Sequence, residues 1–464
     1  MDQKARFSFS NLWGIDKVDQ LKICYLTLSF FFLNSCFAIW RPLKSSIFAK
    51  MVGATYVPDA KLYGMLFLIP LIILYSKLID WLRRHQLMYC FTLFHGIGGL
   101  IFYALLSHEN IGIANTLTNP NRFVGWGFYF FMESFSAFFT TTFWSFADSI
   151  SDPKEAKKYF GILVSGSKAG GILGSGLLYL ALTYLKIADK ILLPNILLIG
   201  SCLLFAAALA TYFLIKKVPG YHLHGYESAY QAEKTQDKTS KTFMESLKGS
   251  VEGLFIIVKN PYVFGIFCLV FFYDAIITIF DFLMLKTANA KYETAGELTA
   301  FFSFYTLCMH GVGFLIAFLG TVPLQRLLGV RASLFIAPVV SFALILGAFF
   351  FPSANVLFAT YVILRGLNYG FNHPTREVLY IPTTKMIKFK AKAWTDSFGT
   401  KIAKGSASVF NKAIATSSSS VIVLASTLAS TGLLSLWIII AFFLGKTLQN
   451  AITHNKVIGE EPTK

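Results

Sequence analysis

The sequence predicts an all-α membrane protein of about twelve transmembrane helices in two six-helix halves. Three observations carry that expectation. Hydrophobic residues make up 55% of the chain, 48 of them Phe, and only 14% of residues are charged, against about a quarter in soluble domains. Apolar runs of roughly 20 residues, enough to cross the hydrocarbon core, recur from one end to the other. One extended polar stretch, residues 216–250, interrupts them midway.

The chain opens with "MDQKARFSFSNLWGIDKVDQ", too polar for a signal peptide, so no removable leader is expected. The first span begins near Leu21 and ends at "WRPLKSS", where Arg41 and Lys44 share a face if the helix continues. There they can grip a phosphate or carboxylate, or else snorkel to headgroups. Further spans begin near Leu62, Leu87 and Phe123. The fourth holds Glu133 well inside, among aromatic and small residues, and Asp148 near its end. Since a charge at the bilayer centre costs on the order of 3 kcal/mol on insertion scales, Glu133 needs a partner or a cavity. Either carboxylate can carry a proton or pair with a cation between transport steps; Asp148 also reads as a solvated interfacial group.

The fifth span, from Tyr159, contains "SGSKAGGILGSG", where Gly166, Gly170 and Gly174 at helical spacing predict close helix packing and leave Lys168 little room to snorkel. The sixth begins near Ile191. The boundaries expected are 1–215 for the N-terminal half, 216–250 for a basic cytoplasmic linker and 251–464 for the C-terminal half. The seventh span, from Pro261, bears Asp274, Asp281 and Lys286, a set able to pair internally, with Asp281 a candidate for coupling or gating. Spans then begin near Glu297, Arg331 and Asn355, the tenth with Arg365 and Asn368 upon it. After it comes "HPTREVLYIPTTKMIKFKAKAWTDSFGTKIAKG". Its middle lysines, Lys385, Lys388, Lys390 and Lys392, read as a cytoplasmic loop, while Arg376, Glu377, Lys401 and Lys404 adjoin span ends and are candidate site residues. The last spans begin near Lys401 and Ser430.

The net charge of +17 does not make a nucleic-acid binder of so apolar a chain. Cations gather in the loops after even-numbered spans, which places those loops and both termini in the cytoplasm. Lys44, Lys50 and Lys61, after the first span, are the exception that needs a reason. The six cysteines lie in apolar runs without paired spacing, so neither disulfides nor a metal site is expected. "GTKIAKGS" has Ala403 where a phosphate loop needs glycine, and no metal-protease pattern or nucleophile elbow is present. An enzyme is therefore not expected, nor any cofactor; a membrane-embedded enzyme or a scaffold is the competing class.

Three blocks give a resemblance to a known family: "RPLKSSIFAKMVGATYVPDAKLYGMLFLIPLIILYSKL", "FWSFADSISDPKEAKKYFGIL" and "HPTREVLYIPTTKMIKFKAKAWTDSFGTKIAKGSA". In order and separation they resemble the nucleotide transporter family, the ATP/ADP translocases of intracellular bacteria and plastids. The resemblance implies a major-facilitator-like fold that exchanges ATP for ADP by alternating access. It also implies phosphate contacts at Lys44, at Arg376 with Glu377, and at Lys404. Here Ser45 stands for the family acid, Asp148 for its Asn and Arg376 for its Lys. The added carboxylate at Asp148 is the departure that favours proton coupling. Proton-coupled import of another nucleotide, dinucleotide or phosphorylated metabolite is accordingly the alternative. The expected partners are a phosphorylated anion and the lipid bilayer of a bacterial inner membrane, with the protein a monomer and no nucleic acid bound.

Overall fold

A computed structural model describes residues 17–151, 153–219, 223, 253–316, 322–384, 386–454 and 456–459. Twelve long helices follow one another among them. In the first half these are α1 (Lys17–Phe48), α2 (Val57–Trp81), α3 (Arg84–Ser107), α4 (Phe123–Ser149), α5 (Pro153–Tyr184) and α6 (Asp189–Lys217). In the second they are α7 (Pro261–Lys291), α8 (Ala295–Leu315), α9 (Val322–Phe350), α10 (Ala354–Leu367), α11 (Thr400–Ile414) and α12 (Ser419–Thr453). No strand occurs among the described residues, only an isolated bridge between Thr383 and Ile458.

Seven stretches are apolar and long enough to cross a membrane by composition: 18–75, α3, α6, α7, α8, residues 331–350 of α9, and α12. The long helices outside that set are α4, α5, α10 and α11. They hold Glu133, Lys168, Arg365 and the Lys401–Lys404 pair respectively. Helices α10 and α11 are too short to qualify, at 14 and 15 residues; intramembrane charge on such helices is tolerated where it faces protein or water.

Each half builds its own apolar core. One joins Leu26, Trp40, Phe135, Phe143 and Leu204, and the other joins Ile266, Phe280, Ile345, Leu434 and Trp437. The glycine repeat of α5 seats that helix on α1. A Cβ at Gly166 would lie 2.2 Å from the Thr27 methyl, one at Gly170 2.4 Å from the Phe31 carbonyl, and one at Gly174 2.9 Å from the Ser35 carbonyl. Asn34 Nδ2 donates to the Ser167 carbonyl at 2.6 Å across the same seam. Helix periodicity then turns Lys168 away from α1 and toward the second half.

Polar contacts between the halves gather where α1, α5, α7 and α11 finish. Lys50 Nζ donates to the carbonyls of Asn289 at 3.2 Å and Tyr292 at 2.5 Å, at the C-terminus of α7. Gly296 N, in the first turn of α8, donates to Asp189 Oδ2 at 2.6 Å, and Lys412 Nζ meets Asp59 Oδ1 at 2.6 Å. Lys50 hangs from a π-turn, Ala49–Gly53, that ends on Gly53 at φ 124°, a backbone setting open to glycine.

The basic stretch after α10 differs from the expected loop. A π-turn (Asn368–Asn372), a short helix (His373–Glu377) and a 3-10 turn (Val378–Tyr380) extend α10. Beyond Pro382, turns at Ile387–Ala391, Lys392–Trp394 and Thr395–Gly399 run into α11, so this element starts well before Lys401. The physical reason is neutralisation, since Lys392 Nζ donates to Glu377 Oε2 at 2.5 Å and ties the two extensions together. Helix α12 likewise starts at Ser419, ahead of the expected Ser430. Lys385 and most of the expected 216–250 linker lie outside the described residues.

Candidate substrate site

Between the two halves lies a cavity of about 110 Å³ lined by Arg41, Lys44, Lys61, Tyr129, Asp281 and Tyr361, among others. Glu133 accepts from Lys44 Nζ at 2.6 Å, within one half. Asp281 faces Arg365 Nη2 at 2.9 Å and Lys61 Nζ at 3.4 Å, the latter from the other half. The Lys44 ammonium also stands 5.0 Å from the Tyr129 ring centre.

Three further cations lie near this pair of carboxylates, Arg41 toward Asp281 and Lys401 and Lys404 toward Glu133, and a fourth, Lys168, lies near Tyr369. Lys401 and Lys404 lie in the electrostatic field of Glu133, and Lys401 in that of Lys44. Arg41 and Lys168 both act on His310, and Arg41, Lys168, Lys404 and Arg365 all act on Tyr369. Among the described residues Arg41, Lys168, Lys401 and Lys404 take part in no ion pair. The arrangement therefore has two paired carboxylates and a surplus of uncompensated positive charge. Chemically it suits a polyanion, whose oxygens can replace the water these cations keep.

Arg376 and Glu377 sit apart from that set. Arg376 is 7% exposed, with Nη2 3.9 Å from Asp396 Oδ1 and no partner for Nε. Glu377 is held by Lys392 and lies 4.0 Å from His373 Nε2. Asp148 is exposed on the last turn of α4 and has no ion pair among the described residues. Of the sequence-predicted residues, then, Arg41, Lys44 and Asp281 line the cavity, Glu133 pairs with Lys44, Lys401 and Lys404 lie near Glu133 and Lys168 stands beside Tyr369, while Arg376, Glu377 and Asp148 lie apart.

Sequence reasoning did not select Lys61, Arg365, His310 or Tyr369 as site residues. The available signal was the anomaly of Lys61, a cation after an odd-numbered span; its engagement with Asp281 explains it. A larger cavity of about 710 Å³ lies beside the π-turn of Lys50, lined by Lys50, Lys286, Phe280 and Phe349 among others.

The sequence profile described as TLC ATP/ADP transporter matches residues 2–363 and 353–448. The chain belongs to that family. It is similar to ADP,ATP carrier protein 4 of Rickettsia bellii, 23% identical over 451 residues, covering 85% of this chain and 83% of the relative. It is similar also to the chloroplastic ADP,ATP carrier protein 2 of Arabidopsis thaliana, 25% identical over 436 residues, covering 85% of this chain and 69% of that one. Among solved structures it superposes on a bacterial homologue of the iron transporter ferroportin in an inward-facing state. That match has a TM-score of 0.64 and 13% identity, over 93% of this chain and 100% of that one. A POT family peptide transporter matches with a TM-score of 0.52 and 14% identity, over 96% and 99% of the two chains. The architecture of this TLC transporter is therefore major-facilitator-like, and the chain is a multi-pass membrane protein of a transport family.

Proposed function

We propose that this transporter exchanges ATP for ADP across a membrane by alternating access, with the phosphates held in the central cavity. One observation carries the reading: Arg41 lines the cavity, Lys401 and Lys404 lie near Glu133 and Lys168 stands beside Tyr369, and none of the four has a carboxylate partner among the described residues. Uncompensated cations gathered in a low-dielectric setting repel one another. A triphosphate or diphosphate tail removes that repulsion. The loaded site can then be enclosed while the empty one resists enclosure, which makes transport an exchange.

Glu133 and Asp281 keep Lys44, Lys61 and Arg365 oriented and are the groups that can trade partners as the halves rock. The cationic loops after even-numbered helices place both termini in the cytoplasm, of a bacterial inner membrane on this reading. In that orientation the contacts of Lys50, Asp189 and Lys412 close the outer end, and the cavity faces inward. Both halves of the site come from one chain, so a monomer suffices.

The test is uptake of labelled ATP by proteoliposomes containing the purified protein. Uptake should require internal ADP, and Arg41→Glu should reduce the initial rate by at least about ten-fold, the equivalent of one charge-assisted contact turned repulsive. Absence of uptake into both loaded and empty vesicles, with insertion verified, would rule out nucleotide transport.

A further inference from the structure

We infer that Tyr369 is the platform on which the nucleobase of the substrate stacks, an assignment that rests on the nucleotide reading above. The argument begins with helix packing. Helices α8 and α10 touch through glycines: a Cβ at Gly366 would lie 2.7 Å from Val312 Cγ1, and one at Gly370 would lie 2.7 Å from the Gly313 carbonyl. So close an approach leaves no room for a regular turn of bulky side chains. The chain answers with the π-turn Asn368–Asn372, clamped by Asn372 Nδ2 donating to Asn368 Oδ1 at 2.8 Å. A π-turn inserted into an α-helix re-aims the side chains it carries and is frequent at functional sites.

The side chain re-aimed here is Tyr369. It is 47% exposed, whereas the tyrosines that line the central cavity, Tyr129, Tyr305 and Tyr361, are 2%, 4% and 4% exposed. Its ring faces the first half, because the Lys168 ammonium of α5 stands 5.6 Å from its centre. It lies in the field of Arg365, Arg41, Lys168 and Lys404 as well. An open aromatic face ringed by cations is a complementary receptor for a ligand with a flat π-system joined to phosphates. The cations take the phosphates and the ring takes the base, through stacking that tolerates any base. The Lys168 ammonium stands beside one part of this ring and leaves the rest open. A bound nucleotide supplies both groups with better partners, so it exchanges one contact between the halves for two.

The experiment is exchange kinetics in proteoliposomes for Tyr369→Leu, Tyr369→Phe and Tyr369→Trp, each checked by thermal melting. With aromatic stacking lost, Tyr369→Leu should raise the KM for ATP on the order of ten-fold or more, while the Phe and Trp variants stay within about two-fold of the parent. A Leu variant with the parent KM would overturn the assignment, as would a Phe variant as impaired as Leu, which would point to the hydroxyl instead. Failure of the parent protein to move any nucleotide is a separate outcome and removes the underlying reading. The Leu variant keeps an apolar side chain without a ring, and Tyr369→Gln provides a second non-aromatic test should Leu not fold.

Discussion

Lys44 and Glu133 form the tightest cross-helix ion pair in the site, at 2.6 Å, with side-chain exposures of 16% and 24%. Removing one partner strands the other in a place where water is scarce, whereas removing both does not. Lys44→Ala or Glu133→Ala alone should therefore lower stability by up to about 3 kcal/mol, with the double variant recovering much of the loss. Melting in detergent across the full cycle would show a coupling above about 1 kcal/mol, and additivity within about 0.5 kcal/mol would mean the pair does not hold the helices. The sequence flagged both residues, but as members of separate clusters. Their separation of 89 positions is the reason, since spacing reveals only neighbours on one helix. The same limit hid the engagement of Asp281 by Lys61, 220 positions away, and by Arg365, 84 positions away. Residue type and membrane depth gave Arg41, Lys168, Lys401 and Lys404 as candidates. Arg376 shares their chemistry, and only the fold sets it apart, against Asp396.

Helix positions were the most legible feature at the scale of elements, because a span's apolar length is written locally. Backbone irregularity was the least legible. The run from Lys385 to Lys392 reads as a basic loop since its lysines satisfy the charge rule for loops, yet Glu377 pairs with Lys392 and Asp396 faces Arg376, which offsets the charge of helical turns there. The π-turn on α10 has no sequence signature beyond Gly366 and Gly370, whose need for close packing appears only once α8 is beside them. That need is testable. At Gly370 an added Cβ meets the Gly313 carbonyl at 2.7 Å and Ile316 Cβ at 2.8 Å, whereas at Gly347 on α9 it meets nothing within 4 Å. Gly370→Ala should cost about 1–3 kcal/mol and raise the KM for ATP by displacing Tyr369, while Gly347→Ala leaves both unchanged or slightly stabilises the helix. Melting temperature and exchange kinetics on the two variants check it. Equal behaviour of the two would show that α8 and α10 are not seated through their glycines.

On the scale of the whole molecule, the two halves hold each other by helix ends. Lys50 of the first half sits on the C-terminal carbonyls of α7, and Asp189 receives the Gly296 N–H at the N-terminus of α8. Each charge thus meets the helix end whose partial charge is opposite to its own, a contact worth about 0.3–1 kcal/mol and up to about 2 where partly buried. Separation of the halves at this end would break these contacts, so they bias the equilibrium against opening here, and by no more than their summed energy. Lys50 was an exception to the loop-charge pattern in the sequence; as a cap on α7 it serves the closed end rather than the orientation of the chain. Replacing both residues, as Lys50→Ala with Asp189→Asn, should shift the population toward opening at this end by on the order of ten-fold. Spin labels at Leu117 and Phe351, both exposed near this end and one on each half, would report the change as growth of a longer-distance population. Saturating ATP should enlarge that population further if loading the cavity permits reorientation, since the substrate and the caps act on the same equilibrium from opposite sides. An unchanged distance distribution in the double variant would mean that apolar packing between the halves, rather than the helix-end contacts, holds this end shut.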